Sequence, residues 1–299
     1  MHNEAELTAD ANDSSLPLDG DNTGSNLAHD TVVYPHPSQG ELALTDIING
    51  IKMWRIWSML AYQDIKLRYR RSVLGPFWLT ISMGITVGSM GYLYGHLFHM
   101  DLDHYYPFLV SGMLAWSLIS TIVLEYTEGF SDGLIKQIKL PYSLFIHRIA
   151  CRNIFIFFHN ILVMVPIYVI FHHSVKINLN TLLVIPGLLI IYLNAISYGL
   201  ILSMIGARYR DISQIIKSLI QVVFFITPVM WDPSVLGSNR KFIFEFNPFY
   251  ALLQCVREPL LGTTPSLKSL AMITFVTLMG LLLCAKLFSR YRARIVYLL

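Results

Sequence analysis

The sequence has little charge for its length. Only 14% of its 299 residues are Asp, Glu, Lys or Arg, while 54% are hydrophobic. Soluble domains carry about 25% charged residues. This shortage excludes an ordinary cytosolic enzyme of two domains, which the length alone would suggest. With a mean hydropathy of +0.53, the composition indicates a membrane protein.

Several motifs of soluble enzymes are also missing. The three cysteines, Cys151, Cys255 and Cys284, lie far apart in apolar surroundings, which excludes a disulfide framework and a C-x-x-C metal site. No Gly-Lys pair occurs, so a phosphate-binding G-x-x-x-x-G-K-[ST] loop is absent. We therefore predict that the chain is not an enzyme, that it has no metal site, and that its energy comes from an ion gradient or a partner.

Basic residues are absent from the first 49 positions, which hold nine acids. The net charge of +3 thus divides into −9 for this part and +12 for the remainder. Residues 1–46 are predicted to be a disordered acidic tail, because they cannot bury enough apolar surface to offset the entropy of ordering. A basic n-region and an apolar h-region are both missing, so we expect the tail to stay in the cytoplasm.

Residues 47–72 form an amphipathic pattern with apolar and basic positions on separate faces. A helix with two Trp residues and a basic side suits the membrane interface. An amphipathic helix packed on a partner protein is the alternative, and both arrangements are compatible.

Six apolar segments follow, and together they predict an all-α membrane domain over residues 73–299. Even the 21-residue run 104–124 would be about 32 Å long as a helix, enough for a hydrocarbon core of about 30 Å. The last two segments are shorter and need flanking lysines to reach the interface. The predicted spans are 72–100, 104–124, 153–175, 177–207, 218–231 and 269–285.

Between the last two spans, residues 232–267 are too apolar for a free loop and contain four prolines. Proline interrupts helices, so one helix cannot cross the bilayer here. Broken backbone at membrane depth must be shielded by protein or face water. We therefore predict a re-entrant pair of short helices.

The positions of the basic residues predict the orientation. If the N-terminus is inside, seventeen of the 22 bases lie on the cytoplasmic side and five outside. Cytoplasmic loops of membrane proteins are enriched in Lys and Arg. Both termini are therefore expected in the cytoplasm.

Small, polar and aromatic residues within the spans suggest packing and pathway positions. Glycines at steps of four, three and four would let another helix approach closely; they are Gly84, Gly88, Gly91 and Gly95. Polar groups at mid-membrane are interhelical hydrogen-bond partners or line a pathway, and aromatic residues anchor at interfaces or stack on sugars. The pore-lining candidates are Tyr92, Trp116, His159, Asn194, Phe224, Trp231, Phe249 and Tyr250.

Two cytoplasmic segments, 128–143 and 208–217, have the form of short helices parallel to the membrane that contact another protein. Solvent-exposed loops are the alternative. At the other side of the first span, His96, His99 and His104 accompany Asp101 and Asp103. Imidazole and carboxylate suit divalent metals, but a short polar turn is favoured there.

Taken together, these segments resemble the membrane-spanning subunit of ABC-2-type polysaccharide exporters over about residues 45–299. The matching sequences are Tyr-Arg-Arg-Ser-Val-Leu-Gly-Pro-Phe-Trp at 69–78, Lys-Leu-Pro at 139–141, Arg-Asp-Ile at 210–212, Thr-Pro-Val at 227–229, Asn-Pro at 247–248, Arg257, and Pro-Leu-Leu at 259–261. The acidic tail falls outside this pattern.

The resemblance implies a homodimer in the bacterial inner membrane with a pore between the copies. It implies two separate ATPase subunits that carry ATP and Mg, no cofactor in this chain, and lipid-linked O-antigen, capsule or teichoic acid as cargo. The segment 232–267 would form the outer gate. Lipid-headgroup contacts would come from Arg68, Arg70 and Arg71, and ATPase contacts from Arg55, Lys66, Glu128, Asp132, Lys136, Lys139, Arg208, Arg210 and Asp211.

A competing hypothesis is a flippase or secondary transporter that works without ATP, or a membrane-embedded glycolipid enzyme. A proton-coupled carrier usually needs a buried carboxylate or a charged relay, and a catalytic acid pair within one pore would favour the enzyme. The predicted spans contain no mid-membrane acid, which weakens this alternative.

Overall fold

The computed structural model describes residues 38–97, 99–131, 133–233 and 242–298, and all regular structure in these ranges is helical. The acidic tail up to residue 37 and Asp132 lie outside the described residues. The helices are α1 (Gln39–Lys52), α2 (Trp54–Arg68), α3 (Phe77–Leu97), α4 (Leu102–Tyr126), α5 (Leu134–Gln137), α6 (Tyr142–Asn160), α7 (Met164–Ile170), α8 (Val184–Arg208), α9 (Ile212–Ile226), α10 (Phe242–Glu245), α11 (Pro248–Leu260), α12 (Leu267–Tyr291) and α13 (Ile295–Leu298).

Four helical segments of the described chain are long and apolar enough to cross a membrane. They correspond to the second, third, fourth and sixth predicted spans and cover Leu102–Tyr126, Tyr142–Ile170, Leu179–Arg208 and Leu267–Tyr297. The helix α3 has 21 residues, but its many Gly, Ser, Thr and Tyr residues lower its hydropathy. The helix α9 has only 15 residues, about 22 Å at 1.5 Å per residue. The count of six spans therefore stays a prediction.

The amphipathic segment before the first span differs from its predicted outline. Helix α1 begins at Gln39, before the predicted boundary at residue 47, because Ser38 and Glu41 form a capping box that satisfies the first N–H groups. The helix ends at Lys52, and α2 begins at Trp54 after the single residue Met53. The single predicted helix over 47–72 is thus two helices, and a turn containing Gly75 at φ +55° leads into α3.

Helix α6 holds the first two helices against the bundle, packing on α1, α2, α4 and α8. The His147 ring of α6 stacks on Trp57 of α2 at 5.5 Å between centroids. Its Nδ1 lies 2.6 Å from the hydroxyl of Tyr192 in α8. This row of three rings joins α2, α6 and α8 into one layer.

Glycines set the close contacts of α8. The Tyr126 ring of α4 lies against Gly199, and the Tyr198 ring lies against Gly280 of α12. If either glycine were replaced with a larger residue, the added Cβ would lie within 2.7 Å of the tyrosine ring. Only glycine therefore lets the helices approach this closely. Tyr198 also donates a 2.8 Å hydrogen bond to the Val276 carbonyl.

Helix α9 ends before a proline, and a short buried helix follows. Thr227 precedes Pro228 and adopts an extended conformation (ψ 130°), as expected because a proline disfavours the helical region for the residue before it. Two short helices, α10 and α11, lie within the predicted segment 232–267. Helix α11 packs between α4, α8 and α12, so this irregular part of the chain is shielded by protein.

Candidate functional site

A cluster of paired charges joins α2 to α4 and α6 at one end of the bundle. The Asp64 carboxylate of α2 accepts hydrogen bonds from Nε and Nη2 of Arg148 at 2.9 and 2.7 Å and from Nη1 of Arg152 at 2.7 Å. Arg152 also donates to the Glu125 carboxylate of α4 at 2.8 Å, and Arg68 lies 3.6 Å from the Glu125 carboxylate. We call these five residues the charge cluster. Paired, partly buried charges of this kind fix the position of one helix on another.

The Asp46 side chain ties α1 to the first turn of α6 and is completely buried. Its carboxylate accepts hydrogen bonds from the backbone N–H groups of Tyr142 and Ser143 at 3.2 and 3.1 Å and from Arg292 Nε at 3.0 Å. The first N–H groups of a helix have no partner within the helix and favour a negative charge. Asp46 thus caps α6 from another helix.

Sequence reasoning placed Asp46 in the acidic tail and missed this role. Gly50 follows four residues later and approaches Ser143 so closely that a Cβ would overlap it. An acid and a glycine at i and i+4 in an amphipathic pattern indicate a buried helical face, and this signal was available in the sequence.

A groove of about 770 Å³ lies between α1, residues 135–142 and residues 292–296. Leu42, Ile135 and Val296 contribute apolar surface to it. Lys136 of α5 and Lys139 after this helix also line the groove, and both are exposed. The groove therefore offers an apolar floor with a basic side at the same end of the molecule as the charge cluster.

The structure places the predicted protein-contact residues on the surface. Glu128 accepts a 3.0 Å hydrogen bond from Ser213 Oγ, and Ser203 Oγ donates to the Tyr126 carbonyl at 2.9 Å. These bonds bring the end of α4 beside the junction of α8 and α9. The residues of this group that the structure describes are all exposed: Arg55, Lys66, Glu128, Lys136, Lys139, Arg208, Arg210 and Asp211.

The two segments expected to be short surface helices differ from that expectation. In the segment 128–143 the helix α5 has only four residues and ends where Ile138 becomes extended (ψ 131°). The segment 208–217 is not one separate helix. Tyr209 is extended (ψ 111°) and ends α8, and residues 212–217 form the beginning of α9.

The three arginines considered for lipid headgroups have different surroundings. Arg68 belongs to the charge cluster, whereas Arg70 and Arg71 are exposed in the turn after α2. Residues 67–72 line a shallow cavity of about 370 Å³. Of the three, Arg68 is thus the one shown with its guanidinium beside a carboxylate of the bundle.

Three of the aromatic candidates form a cluster between helices. Trp116 of α4 lies 5.5 Å from the Phe224 ring of α9 and 6.2 Å from the Phe249 ring of α11. Trp231 and Tyr250 contact Phe244 instead, at 6.3 and 5.1 Å. The candidates thus divide into a group around α4 and a second group around α10.

The other pore candidates lie apart from these groups. Asn194 Nδ2 donates to Thr277 Oγ1 at 2.7 Å, an interhelical bond between α8 and α12 that matches the packing alternative. The backbone carbonyl of His159 accepts from Thr80 at 2.8 Å. Tyr92 is exposed and lies 4.4 Å from the His96 ring.

Among the described residues, two of the four glycines in the α3 row have another helix where a Cβ would lie. A Cβ at Gly91 would overlap the Tyr106 ring, and one at Gly95 would overlap Leu102. At Gly88 a Cβ would meet nothing within 4 Å, and at Gly84 it would be 4.0 Å from Val163. Gly91 and Gly95 therefore let α4 approach α3, while Gly84 and Gly88 leave an open strip.

The buried guanidinium of Arg257 fastens α11 to the turn after α9. The residue has 0% exposure, and its Nη2 donates to the carbonyls of Pro228 and Val229 at 2.5 and 3.1 Å. The group lies 4.1 Å from the centroid of the Phe108 ring. A Cβ at Gly112 would be 2.5 Å from Nη2, so a glycine in α4 makes room for the arginine.

Sequence reasoning counted Arg257 among the bases outside the membrane and missed its burial. Asn247 Nδ2 also donates to Thr227 Oγ1 at 2.8 Å. The Thr-Pro-Val, Asn-Pro and Arg257 elements quoted for the family resemblance therefore meet at one place, which we call the α9–α11 clasp. The sequence signal for this site was that all three elements belong to the family pattern.

Comparison with known proteins gives a consistent result. The sequence model of the family described as "ABC-2 type transporter" matches residues 55–261. A Klebsiella pneumoniae protein named "O-antigen export system permease protein RfbA" is 21% identical over 243 residues, which is 78% of this chain and 92% of that protein. A Myxococcus xanthus protein of the same name is 23% identical over 227 residues, 73% and 86% of the two chains.

Proposed function

The chain belongs to the ABC-2 type transporter family, and from this membership we propose that it is the membrane-spanning subunit of an ATP-driven exporter of lipid-linked polysaccharide, with O-antigen as the cargo. One observation carries the proposal. The match to a relative named as an O-antigen export permease extends over 92% of that relative, so the likeness includes nearly its whole length.

The energy would come from two separate ATPase subunits bound at the charged end of the bundle. The absence of a phosphate-binding loop in this sequence supports a division of labour between chains. The exposed residues around α5 and the α8–α9 junction, together with the groove of about 770 Å³, supply polar and apolar surface for such a partner. ATP and Mg would be held by the partner, and this chain would carry no cofactor.

A second copy of the chain would complete the pore. Helix α9 exposes Ile215, Leu219, Val222 and Phe225, which follow at steps of four, three and three along the helix and form one apolar face. The open strip at Gly84 and Gly88 on α3 would admit another helix closely. Both features support a homodimer, which we place in the inner membrane with six spans per chain and cytoplasmic termini.

The lipid diphosphate of the cargo would first meet Arg70 and Arg71. Both are exposed beside the cavity of about 370 Å³, and arginine suits phosphate because its fork of donors matches phosphate oxygens. Replacing both residues with Ala should reduce export while the ATPase subunits stay bound. Arg290→Ala, another exposed arginine, is the matched control.

A deletion and co-purification experiment tests the function. Cells that lack this chain should accumulate lipid-linked polymer at the cytoplasmic face and lose it from the surface, as seen on gels and immunoblots. The tagged full chain should restore export and co-purify with an ATPase subunit. An ATPase partner disabled in its phosphate loop should fail to support export.

Two results would contradict the proposal. Surface polymer at the normal level in the deletion strain would show that another protein exports it. Normal export with the disabled ATPase would favour a flippase that works without ATP.

A further inference from the structure

A polar cavity lies between α10, α11 and the beginning of α12. Its volume is about 480 Å³, within the range of about 300–1,000 Å³ typical of small-molecule sites. Helix α12 begins at this cavity and leads at its other end to Arg292, which binds Asp46. The cavity is therefore at the opposite end of the bundle from the charge cluster and the proposed ATPase surface.

One face of α11 supplies most of the polar groups. Tyr250, Gln254 and Glu258 follow at steps of four residues and line the cavity one above another. Tyr250 and Gln254 are each 8% exposed, and Gln254 Nε2 donates to the Tyr250 hydroxyl at 2.5 Å. Thr263 Oγ1 in turn donates to the Glu258 carboxylate. The Gln254 amide has two N–H groups and a carbonyl, and the Tyr250 hydroxyl keeps its own proton, so both can form further hydrogen bonds with a ligand.

Aromatic surface forms another part of the wall. Phe244 is buried and contacts the Tyr250 ring at 5.1 Å between centroids, with an interplanar angle of 70°. Ser269 is buried in the lining, whereas Lys268 is exposed at the rim. The cavity thus changes from a charged rim to an interior of aromatic, amide and hydroxyl groups.

These groups match the chemistry of a sugar ring. A sugar has C–H faces that pack on aromatic rings. Its hydroxyls both donate and accept hydrogen bonds, and an amide or a hydroxyl of the protein can likewise donate and accept. An acyl chain would add no hydrogen bond to those that Gln254 and Glu258 already make with Tyr250 and Thr263. A polyanion would face the carboxylate of Glu258.

We propose that this cavity binds a sugar unit of the exported polymer at the far side of the membrane. The inference rests on the proposed function for the side of the membrane and the cargo, but the site itself is defined by the residues of α10, α11 and α12. Binding there would hold the end of the polymer that has crossed the membrane while the following sugar units cross.

The test is direct binding to the full chain in lipid nanodiscs. The probe is short fragments of the surface polysaccharide from the strain that encodes this chain, released from lipid by mild acid. Trp231 lies 6.3 Å from Phe244, so its fluorescence provides a local signal, and Trp231→Phe identifies its share. Calorimetry gives a second reading that needs no fluorophore.

Two variants remove polar groups while keeping shape. Gln254→Met and Tyr250→Phe should each weaken binding about tenfold, the factor that corresponds to about 1.4 kcal/mol. Gln214→Met replaces an exposed glutamine on α9 and should bind like the unmodified chain. The two α11 variants change different side chains, so a folding defect in one leaves the other for the test.

Absence of saturable binding, or equal binding by the unmodified chain and both folded variants, would overturn the inference. These results would not contradict the exporter function if the deletion strain still loses surface polymer. Conversely, normal surface polymer in the deletion strain would remove the proposed function, and the binding measurement would then show separately whether the cavity takes sugars.

Discussion

Replacing Asp64 with Ala should weaken the attachment of α2 to the bundle and lower the stability of the whole chain. This carboxylate accepts three hydrogen bonds, two from Arg148 and one from Arg152, at 2.7 to 2.9 Å. The substitution removes all three bonds and leaves the two guanidinium groups in a space that is mostly closed to water. Their side chains are only 15% and 16% exposed.

The expected loss follows from the burial of the cluster. Breaking a buried pair by removing one partner costs about 3–5 kcal/mol. Water reaches part of this cluster, and Glu125 still accepts from Arg152 at 2.8 Å, so we expect a smaller loss of about 2–3 kcal/mol. At about 2–4 °C per kcal/mol for a chain of this size, the unfolding temperature should fall by roughly 4–12 °C.

Thermal unfolding in nanodiscs, followed by tryptophan fluorescence, measures this shift. The matched control is Glu245→Ala, which removes an ion pair whose Lys268 side chain is 75% exposed and should cost at most about 1 kcal/mol. Replacing Asp64 and Arg148 together with Leu and Met should recover much of the loss, because a well-packed apolar pair needs no charge partner. An unchanged unfolding temperature in Asp64→Ala would refute the reasoning that the cluster holds α2.

Three further substitutions have defined outcomes in the same unfolding assay. Arg257→Met should cost about 2–4 kcal/mol, because two buried carbonyls lose their donor, and a native melting curve would contradict the α9–α11 clasp. Asp46→Ala should cost about 1–3 kcal/mol, because the first turn of α6 loses its cap, with Asp46→Asn intermediate; equal melting of the two variants would argue against the charge. Gly91→Ala should cost about 1–3 kcal/mol through overpacking against α4, while Gly88→Ala should be close to neutral; the reverse order would contradict the packing of α3.

Long uncharged runs predicted the helices well because burying backbone in a membrane requires helical hydrogen bonding. The same criterion placed the third span at 153–175, although the helical segment begins at Tyr142. Arg148 and Arg152 made the earlier residues look like a loop. Their charges are paired with Asp64 and Glu125, which lie far away in sequence, so only the tertiary structure reveals that this part of the helix is enclosed.

The sites differ in how far sequence could define them. Proline predicted the end of α9 and the broken segment after it, because its effect on the backbone is local. Arg257 was assigned to the outside because it lies between the fifth and sixth predicted spans, whereas its burial depends on Gly112 of α4 and two carbonyls after α9. A role of this kind depends on three segments meeting, and local pattern holds no information on that.

Helix α4 connects the two regions that the proposed mechanism must couple. Glu125 near its end belongs to the charge cluster, and Gly112, about 20 Å away at 1.5 Å per residue, makes room for Arg257. Between them, Trp116 packs on the rings of Phe224 and Phe249. Close-packed interiors transmit displacement because they have few voids to absorb it. If the proposed ATPase partner pushes on α2, the displacement would reach the α9–α11 clasp through α4, and Asp64→Ala should weaken that transmission by loosening its first contact.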